Sequence, residues 1–301
     1  MAWSVDLLYR FQQWLINKNM AGGISSDDFF FSWNSEQSQF QQDLLGRFQN
    51  RNNGKTGNNI GLIQDETILS KLSPFTHPTT IAITSGKATK PSDYGYGLAL
   101  RINDARVYSM DKDQIWAVKE DVIDPPSITD DCYYFTEYED YFLILPTAAT
   151  SLNLDYISLC KDIVWAYTFD SADRQVYSAS GLTGLPVIFG GVGYTSPTIA
   201  FSAPAAGGVQ ATGTLTVVGG VITAVVMTNI GQGYAGLTPT FTITGASTTP
   251  ATFGSPIVSV QPMWRNAECV EITKRTLKSL GVHFTSQDFE AFGSSIIKEG
   301  D

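Results

Sequence analysis

One short segment occurs twice in this chain of 301 residues: residues 191–198 read GVGYTSPT, and residues 231–240 read GQGYAGLTPT. The second copy begins 40 residues after the first and carries two additional residues before its proline. Each copy leads into a strand-like run, at 199–202 and at 241–244. A repeat of this period predicts a folded module rather than a linker.

The sequence between the two copies indicates that this module is all-β. Residues 211–218 and 221–229 are two further strand candidates, and Gly219 and Gly220 join them. Adjacent glycines between two such runs are typical of a tight β-hairpin turn. We therefore expect a small all-β module of five or six strands, with a surface of Thr, Ser, Asn and Gln.

Charge divides the chain into two kinds of sequence. Residues 175–264 contain no Asp, Glu, Lys, Arg or His and hold 15 of the 27 glycines. The whole chain nevertheless has a formal net charge of −10, so all of its charge lies outside this window. We predict that residues 178–258 form an all-β domain inserted into a body made of residues 1–177 and 259–301.

Helices are predicted near both ends of the chain, where apolar residues recur at helical spacing. The predicted segments are 4–20, a run from Ser25 or Ser26 towards Asn50, 267–280 and 286–289. Ser25 and Asp28 have the spacing of a capping box, and Gly281 stands where a helix C-cap is expected. We expect these helical hairpins to pack together on the strand-rich part of the body.

The region between residues 71 and 170 has the short period of β-strands. Its β-branched and aromatic runs are 79–84, 96–102, 114–119, 141–145 and 154–160. Clusters of Pro, Asp and Gly separate these runs, as in an antiparallel meander. The predicted fold class is therefore α+β, with helical hairpins from both termini packed on an antiparallel β body and an inserted small all-β domain.

An acidic stretch is the first candidate site. Asp130, Asp131, Glu137 and Glu139 lie, with Asp140, among five aromatic residues. Such carboxylates can form the wet face of a strand, contribute to an interface, act as a glycosidase acid and nucleophile, or bind Ca²⁺. The sequence favours the wet face of a strand over an interface, and an interface over catalysis.

The two tyrosines of the repeat, Tyr194 and Tyr234, are the second candidate site. Exposed tyrosines beside neutral polar groups would suit a carbohydrate, and the pair is a candidate interaction surface. The alternative is that the glycines supply tight turns while both tyrosines close the core of the module. The sequence favours this second interpretation.

Other motifs do not support a catalytic or cofactor site. The GKT segment at 54–56 resembles the end of a phosphate-binding loop, but Asn50 stands where the first glycine of that motif belongs. The chain has two isolated histidines, His77 and His283, and three scattered cysteines, which we interpret as reduced thiols. We therefore predict no cofactor, no metal and no enzymatic activity.

Composition argues against two classes of partner. A net charge of −10 without a basic run is unsuited to binding nucleic acid by neutralising phosphates. The chain has no run of about 18 apolar residues, so we expect no transmembrane helix and no membrane partner.

Several short segments outside the uncharged window form one further pattern. They are LYRF at 8–11, INK at 16–18, GIS at 23–25 with Phe29, KPSDY at 90–94, LDYI at 154–157, and the segment from Glu271 to Val282. This pattern resembles a structural protein of crAss-like phages and related podoviruses of Bacteroidetes. The module is similar instead to the Gly-x-Gly-Tyr…Pro-Thr β repeats of phage fibre and decoration proteins.

The resemblance implies a virion protein that forms a ring of about twelve copies in the head–tail connector, joining portal and tail. Its implied partners are further copies of itself and the portal or other connector and tail proteins, with packaged DNA passing nearby. It implies no active site, assembly in the host cytoplasm, and an acidic channel surface that repels DNA. The alternative is a tail-fibre or adhesin-type protein that binds host surface glycans through the inserted domain.

Overall fold

A computed structural model describes residues 3–20, 23–52, 67–120, 125–169 and 174–282, without the side chains of residues 19–20 and 48–52. Three features discussed above lie outside these residues: the GKT segment at 54–56, His283, and the helix predicted at 286–289.

The chain contains both α-helices and β-strands, as an α+β protein requires. The described helices are α1 (Val5–Met20), α2 (Ser26–Asn52), α3 (67–72), α4 (Gln114–Lys119) and α5 (Asn266–Ser279). The first seven strands are β1 (Thr76–Thr84), β2 (Lys87–Thr89), β3 (Tyr94–Ile102), β4 (Ala105–Ser109), β5 (Tyr133–Glu137), β6 (Tyr141–Leu145) and β7 (Ser151–Ser158). The remaining strands are β8 (Ala166–Phe169), β9 (Gln175–Ser178), β10 (Leu182–Gly184), β11 (Val187–Phe189), β12 (Thr198–Phe201), β13 (Thr212–Val218), β14 (Val221–Asn229), β15 (Phe241–Thr244), β16 (Thr252–Phe253) and β17 (Ile257–Val258).

The chain divides into two compact units. The first unit comprises residues 1–37 and 161–301, and the second comprises residues 38–160. Helix α2 crosses the division and contributes to both units. These boundaries differ from the predicted ones at 177/178 and 258/259, and the whole uncharged module lies within the first unit.

The helix ends of the first unit follow the predicted capping chemistry. The Ser25 hydroxyl accepts a hydrogen bond from the Asp28 N–H (3.1 Å), which confirms Ser25 as the cap, and it donates to the Asp28 carboxylate (2.7 Å) in place of the backbone N–H bond of a full capping box. Helix α5 ends at Ser279 and is followed, after the C-cap Leu280, by Gly281, whose φ of +74° is the left-handed conformation that favours glycine. The Val282 N–H then bonds to the Leu277 carbonyl (2.8 Å), which closes the helix end.

The second unit is built around a closed barrel of seven strands, in the order β1-β2-β6-β5-β4-β3-β7. Its neighbouring strands are antiparallel except β4 and β5, which pair in parallel. The predicted antiparallel meander is wrong at this point, because parallel neighbours need a crossover connection rather than a hairpin. That connection contains α4, where a strand was predicted. A short apolar run is compatible with either structure, and here only Ile115 is buried while Trp116 is half-exposed.

The barrel interior is closed by apolar side chains, among them Tyr133, Phe142, Leu152 and Leu154. Within the same unit, the buried side chain of Gln41 on α2 binds the end of β7. Its amide donates to the Ser158 carbonyl (2.9 Å) and accepts from the Cys160 N–H (2.8 Å). A polar residue on a buried helix face therefore completes the backbone hydrogen bonding where the strand ends.

The module contains the strands that the repeat predicts. The β13–β14 hairpin turns at Gly219 and Gly220, whose φ angles of +60° and +78° suit the predicted two-glycine turn. Strands β12 and β15, which follow the two copies of the repeat, pair with each other in antiparallel register. The module is more elaborate than the predicted five or six strands, because eight strands, β10–β17, occur between residues 182 and 258.

Candidate functional site

Tyr234 lies at the centre of the module and is fully buried. Its hydroxyl donates to the Ser202 carbonyl (2.9 Å) and accepts from the Ala211 N–H (2.9 Å). Its own N–H donates to the Ser180 carbonyl (2.9 Å). The Tyr234 hydroxyl thereby pairs the Ser202 carbonyl and the Ala211 N–H, which belong to two neighbouring segments that no β-ladder joins.

Tyr194 makes an equivalent set of bonds in the other direction. Its hydroxyl accepts from the Ala251 N–H (2.9 Å), and its N–H donates to the Gly220 carbonyl (2.9 Å). Ala251 and Gly220 stand 40 residues after Ala211 and Ser180, the corresponding partners of Tyr234. We call residues 180–219 the first repeat and 220–259 the second repeat, so that each tyrosine is bound by the repeat to which it does not belong.

This reciprocity decides between the two interpretations of the tyrosines. Tyr194 is 6% exposed and Tyr234 is 0% exposed, so neither ring presents a face to a ligand. The proposal that these tyrosines form part of an interaction surface is therefore corrected. Both side chains pack inside the module, and neither forms an exposed aromatic surface for a sugar. A tyrosine that is buried needs a partner for its hydroxyl, and here the partners are backbone groups of the other repeat.

The surface of the module is uncharged and includes several exposed apolar side chains. Ile188 is 72% exposed, Val218 63% and Val226 50%. Val192 is also exposed. It lies close to the β13–β14 turn that follows Val218, because a Cβ on Gly220 would stand 3.4 Å from the Gly193 nitrogen. Exposed apolar side chains that lie together on a soluble protein commonly mark a contact with another molecule.

The acidic candidates belong to the second unit and do not converge. Asp130 and Asp131 lie in the turn before β5, Glu137 is the last residue of β5, and Glu139 lies in the turn to β6. The five residues of β5 extend over roughly 13 Å, whereas the two carboxyl groups of a glycosidase stand about 5–9.5 Å apart. Asp131 and Glu137 therefore do not form such a pair.

Glu137 is engaged in a local network instead. Its carboxylate accepts from the Lys90 ammonium (2.7 Å) and from the Tyr94 hydroxyl (3.2 Å), while Lys90 also lies over the Tyr94 ring at 4.6 Å. Burial, followed by the nearby Glu137 charge, raises the pKa of Tyr94 above its ordinary value. This network connects β3 to β5 and fixes the position of the Glu137 carboxylate. The sequence pattern did not indicate these contacts.

The raised pKa of Tyr94 predicts a change of stability at alkaline pH. Tyrosine in the unfolded chain ionises near about pH 10, whereas folded Tyr94 keeps its proton to higher pH. Its stabilising contribution is thus complete below about pH 10 and is lost as the pH rises further. Urea unfolding from pH 9 to 11 should show a steeper loss for the native chain than for Tyr94→Phe. Glu137→Gln should reduce that difference, and identical slopes for all three chains would contradict the assignment.

In the described part of the chain, no group of three or more His, Cys, Asp or Glu side chains is placed to hold a metal ion. No helix in the described ranges has both the length and the apolar character needed to span a membrane. Burial raises the pKa of the Cys269 thiol to about 12, so it remains a thiol at neutral pH.

Comparison with protein-family models gave no match, and comparison with curated proteins gave none either. The resemblance to phage structural proteins therefore depends on the short segments and the repeat described above.

Proposed function

We propose that this chain is a structural subunit that assembles with further copies of itself through its uncharged module. The observation that carries the proposal is the combination of no charge and exposed apolar side chains on one folded module. The two interlocked repeats hold that surface in a defined shape, which an assembly contact requires.

Electrostatics favours contact at the module rather than elsewhere. Each copy carries a formal net charge of −10, so two copies repel one another in general. Residues 175–264 contribute nothing to that charge, and bringing two such surfaces together desolvates no ionised side chain. The cores of stable interfaces are likewise depleted of charged residues.

The more specific assignment is a ring subunit of the head–tail connector of a tailed phage, with about twelve copies joining portal and tail. It is supported by the resemblance of the segments near both ends of the chain and by the similarity of the module to repeats of phage fibre and decoration proteins. The acidic turns at Asp130, Asp131 and Glu139 suit a surface beside packaged DNA, which they would repel.

We also propose that the module is an insertion, with the helical ends forming one part of the body. Support comes from the points where the chain enters and leaves the module. The Ser259 N–H donates to the Gly181 carbonyl (2.8 Å), and Val164 and Val260 exchange two backbone hydrogen bonds (3.1 and 2.8 Å). Helices α1 and α5, from the two ends of the chain, also pack against each other.

Sedimentation velocity of the full chain at low and high salt tests the proposed function. We expect an oligomer at micromolar concentration that persists, or grows stronger, between about 0.1 M and 1 M NaCl. The physical reason is that salt screens the repulsion between acidic copies and has no ion pair to weaken at an uncharged contact. An ion-paired interface would dissociate over the same range.

A monomer under all of these conditions would contradict the proposal. A specific glycan-array signal from a monomeric chain would instead favour the adhesin alternative. The burial of Tyr194 and Tyr234 speaks against that outcome, since it removes the aromatic platform on which the glycan hypothesis depended.

A further inference from the structure

Strand β13 forms one edge of the module. It reads TGTLTVV and pairs with β14 alone, in a two-stranded sheet. The start of the strand is approached by Phe201 of β12, and the Tyr234 hydroxyl reaches the preceding Ala211 N–H. Among the described residues, however, no backbone hydrogen bond joins β13 to any strand except β14. Strand β12 also packs against β13, but no ladder joins the two, so one side of β13 has no strand partner.

Natural proteins protect such edges with charged residues, prolines or bulges, because an open regular edge pairs with other chains. Strand β13 contains no charged residue and no proline. The two register shifts of the hairpin place the additional residues, Thr223 and Thr228, on β14, so that β13 itself stays regular. Strand β13 itself therefore carries no charge, proline or bulge that would protect its edge.

The second repeat provides an internal comparison. Its residues 252–258, which stand 40 positions after β13, read TFGSPIV and form only the two short strands β16 and β17. Pro256 occupies the position that corresponds to Thr216 of β13. Proline cannot donate to a ladder and interrupts an edge. The proline therefore interrupts the strand of the second repeat, whereas β13, the equivalent strand of the first repeat, is continuous.

The exposed face of β13 is also suited to pairing. Thr214, Thr216 and Val218 point outward on alternate residues, and all three are exposed. β-branched side chains of this kind favour cross-strand packing in a sheet. No charged group on the strand opposes the approach of a second one.

We infer that β13 is a docking edge that pairs, by addition of a strand, with the module of a second copy of this chain. The inference rests on the proposed function and names the contact through which the copies associate. A second copy is the fitting occupant because its module is equally uncharged, while the rest of each copy is acidic and repels its neighbour. Backbone hydrogen bonds supply the affinity in this mode of recognition, and alternate side chains supply its specificity.

The test compares the full-length chain with Thr214→Lys/Thr216→Lys by sedimentation velocity over a concentration series. Each copy then brings two ammonium groups to the edge, and we expect the concentration for half-association to rise at least about tenfold. The control is Thr238→Lys/Ser247→Lys, which adds the same charge at exposed positions outside the strands. It should change that concentration less than about twofold.

A second variant, Thr216→Pro, copies into β13 the residue that interrupts the equivalent edge. It should weaken association as the lysine pair does, with circular dichroism confirming that the chain is folded. If the native chain is oligomeric and both variants associate as strongly as it does, the docking edge is overturned and the proposed function stands. A native chain that is monomeric throughout would overturn both.

Discussion

Replacing Tyr234 by alanine should lower the free energy of unfolding of the module by about 3–5 kcal/mol. The substitution removes a fully buried ring and leaves the Ser202 carbonyl and the Ala211 N–H without the hydroxyl that pairs them. Both repeats lose support at once, because the ring belongs to the second repeat while its partners belong to the first. Thermal or urea unfolding, followed by circular dichroism, measures the effect.

Two variants separate packing from hydrogen bonding at this position. Tyr234→Phe keeps the ring and should cost about 1–3 kcal/mol, the penalty for buried polar groups left unpaired. Tyr194→Ala should resemble Tyr234→Ala, because Tyr194 binds Ala251 in the equivalent way. If Tyr194→Ala leaves the melting temperature unchanged, these tyrosines do not hold the two repeats together.

Gly231→Ala should destabilise the module by about 2–5 kcal/mol, from backbone strain and overpacking together. Gly231 has a φ of +67°, and a Cβ there would stand 2.6 Å from the Val209 carbonyl oxygen and 2.8 Å from the Ala211 nitrogen. These neighbours are backbone atoms and cannot move aside as a flexible side chain would. The alanine must therefore displace the segment from Val209 to Ala211, whose Ala211 N–H bonds to the Tyr234 hydroxyl.

The control for Gly231 is Gly236→Ala. Gly236 has a similar φ of +73°, but a Cβ there meets no atom within 4 Å. This variant should cost only the conformational term of about 1–2 kcal/mol. Equal losses for the two variants would mean that the close backbone approach at Gly231 contributes nothing, and would contradict the interlocked arrangement.

The features that the sequence predicted well are local ones. The hairpin at Gly219 and Gly220, the Ser25 cap of α2 and the glycine at 281 that follows α5 each depend on residues a few positions apart. Turn and cap chemistry requires particular residue types at particular positions, so it can be identified without knowing the tertiary fold.

The features that the sequence did not predict depend on distant contacts. Closure of the barrel requires β3 to meet β7, and the parallel pairing of β4 with β5 depends on a connection whose apolar run fits helix or strand. The reciprocal bonding of the tyrosines had one overlooked signal. Ala211-Thr212 recurs as Ala251-Thr252 at the same 40-residue spacing as the tyrosines, which marks these residues as part of the repeat.

The tyrosines of the repeat were one of the candidate sites that the sequence offered, and the structure shows them buried. The edge strand β13 was not among those candidates. An edge is a property of strand order, and strand order does not follow from the residues of one strand. In the same way, the acidic run from Asp130 to Glu139 resembles a cluster in sequence, although a strand holds its two ends apart.

Electron microscopy of the purified full-length chain shows whether copies assemble into a closed structure. We expect closed rings of about twelve copies, with the uncharged modules at the contacts between neighbours. Particles that correspond only to single copies of the 32.8 kDa chain, at concentrations where a structural subunit must assemble, would contradict it.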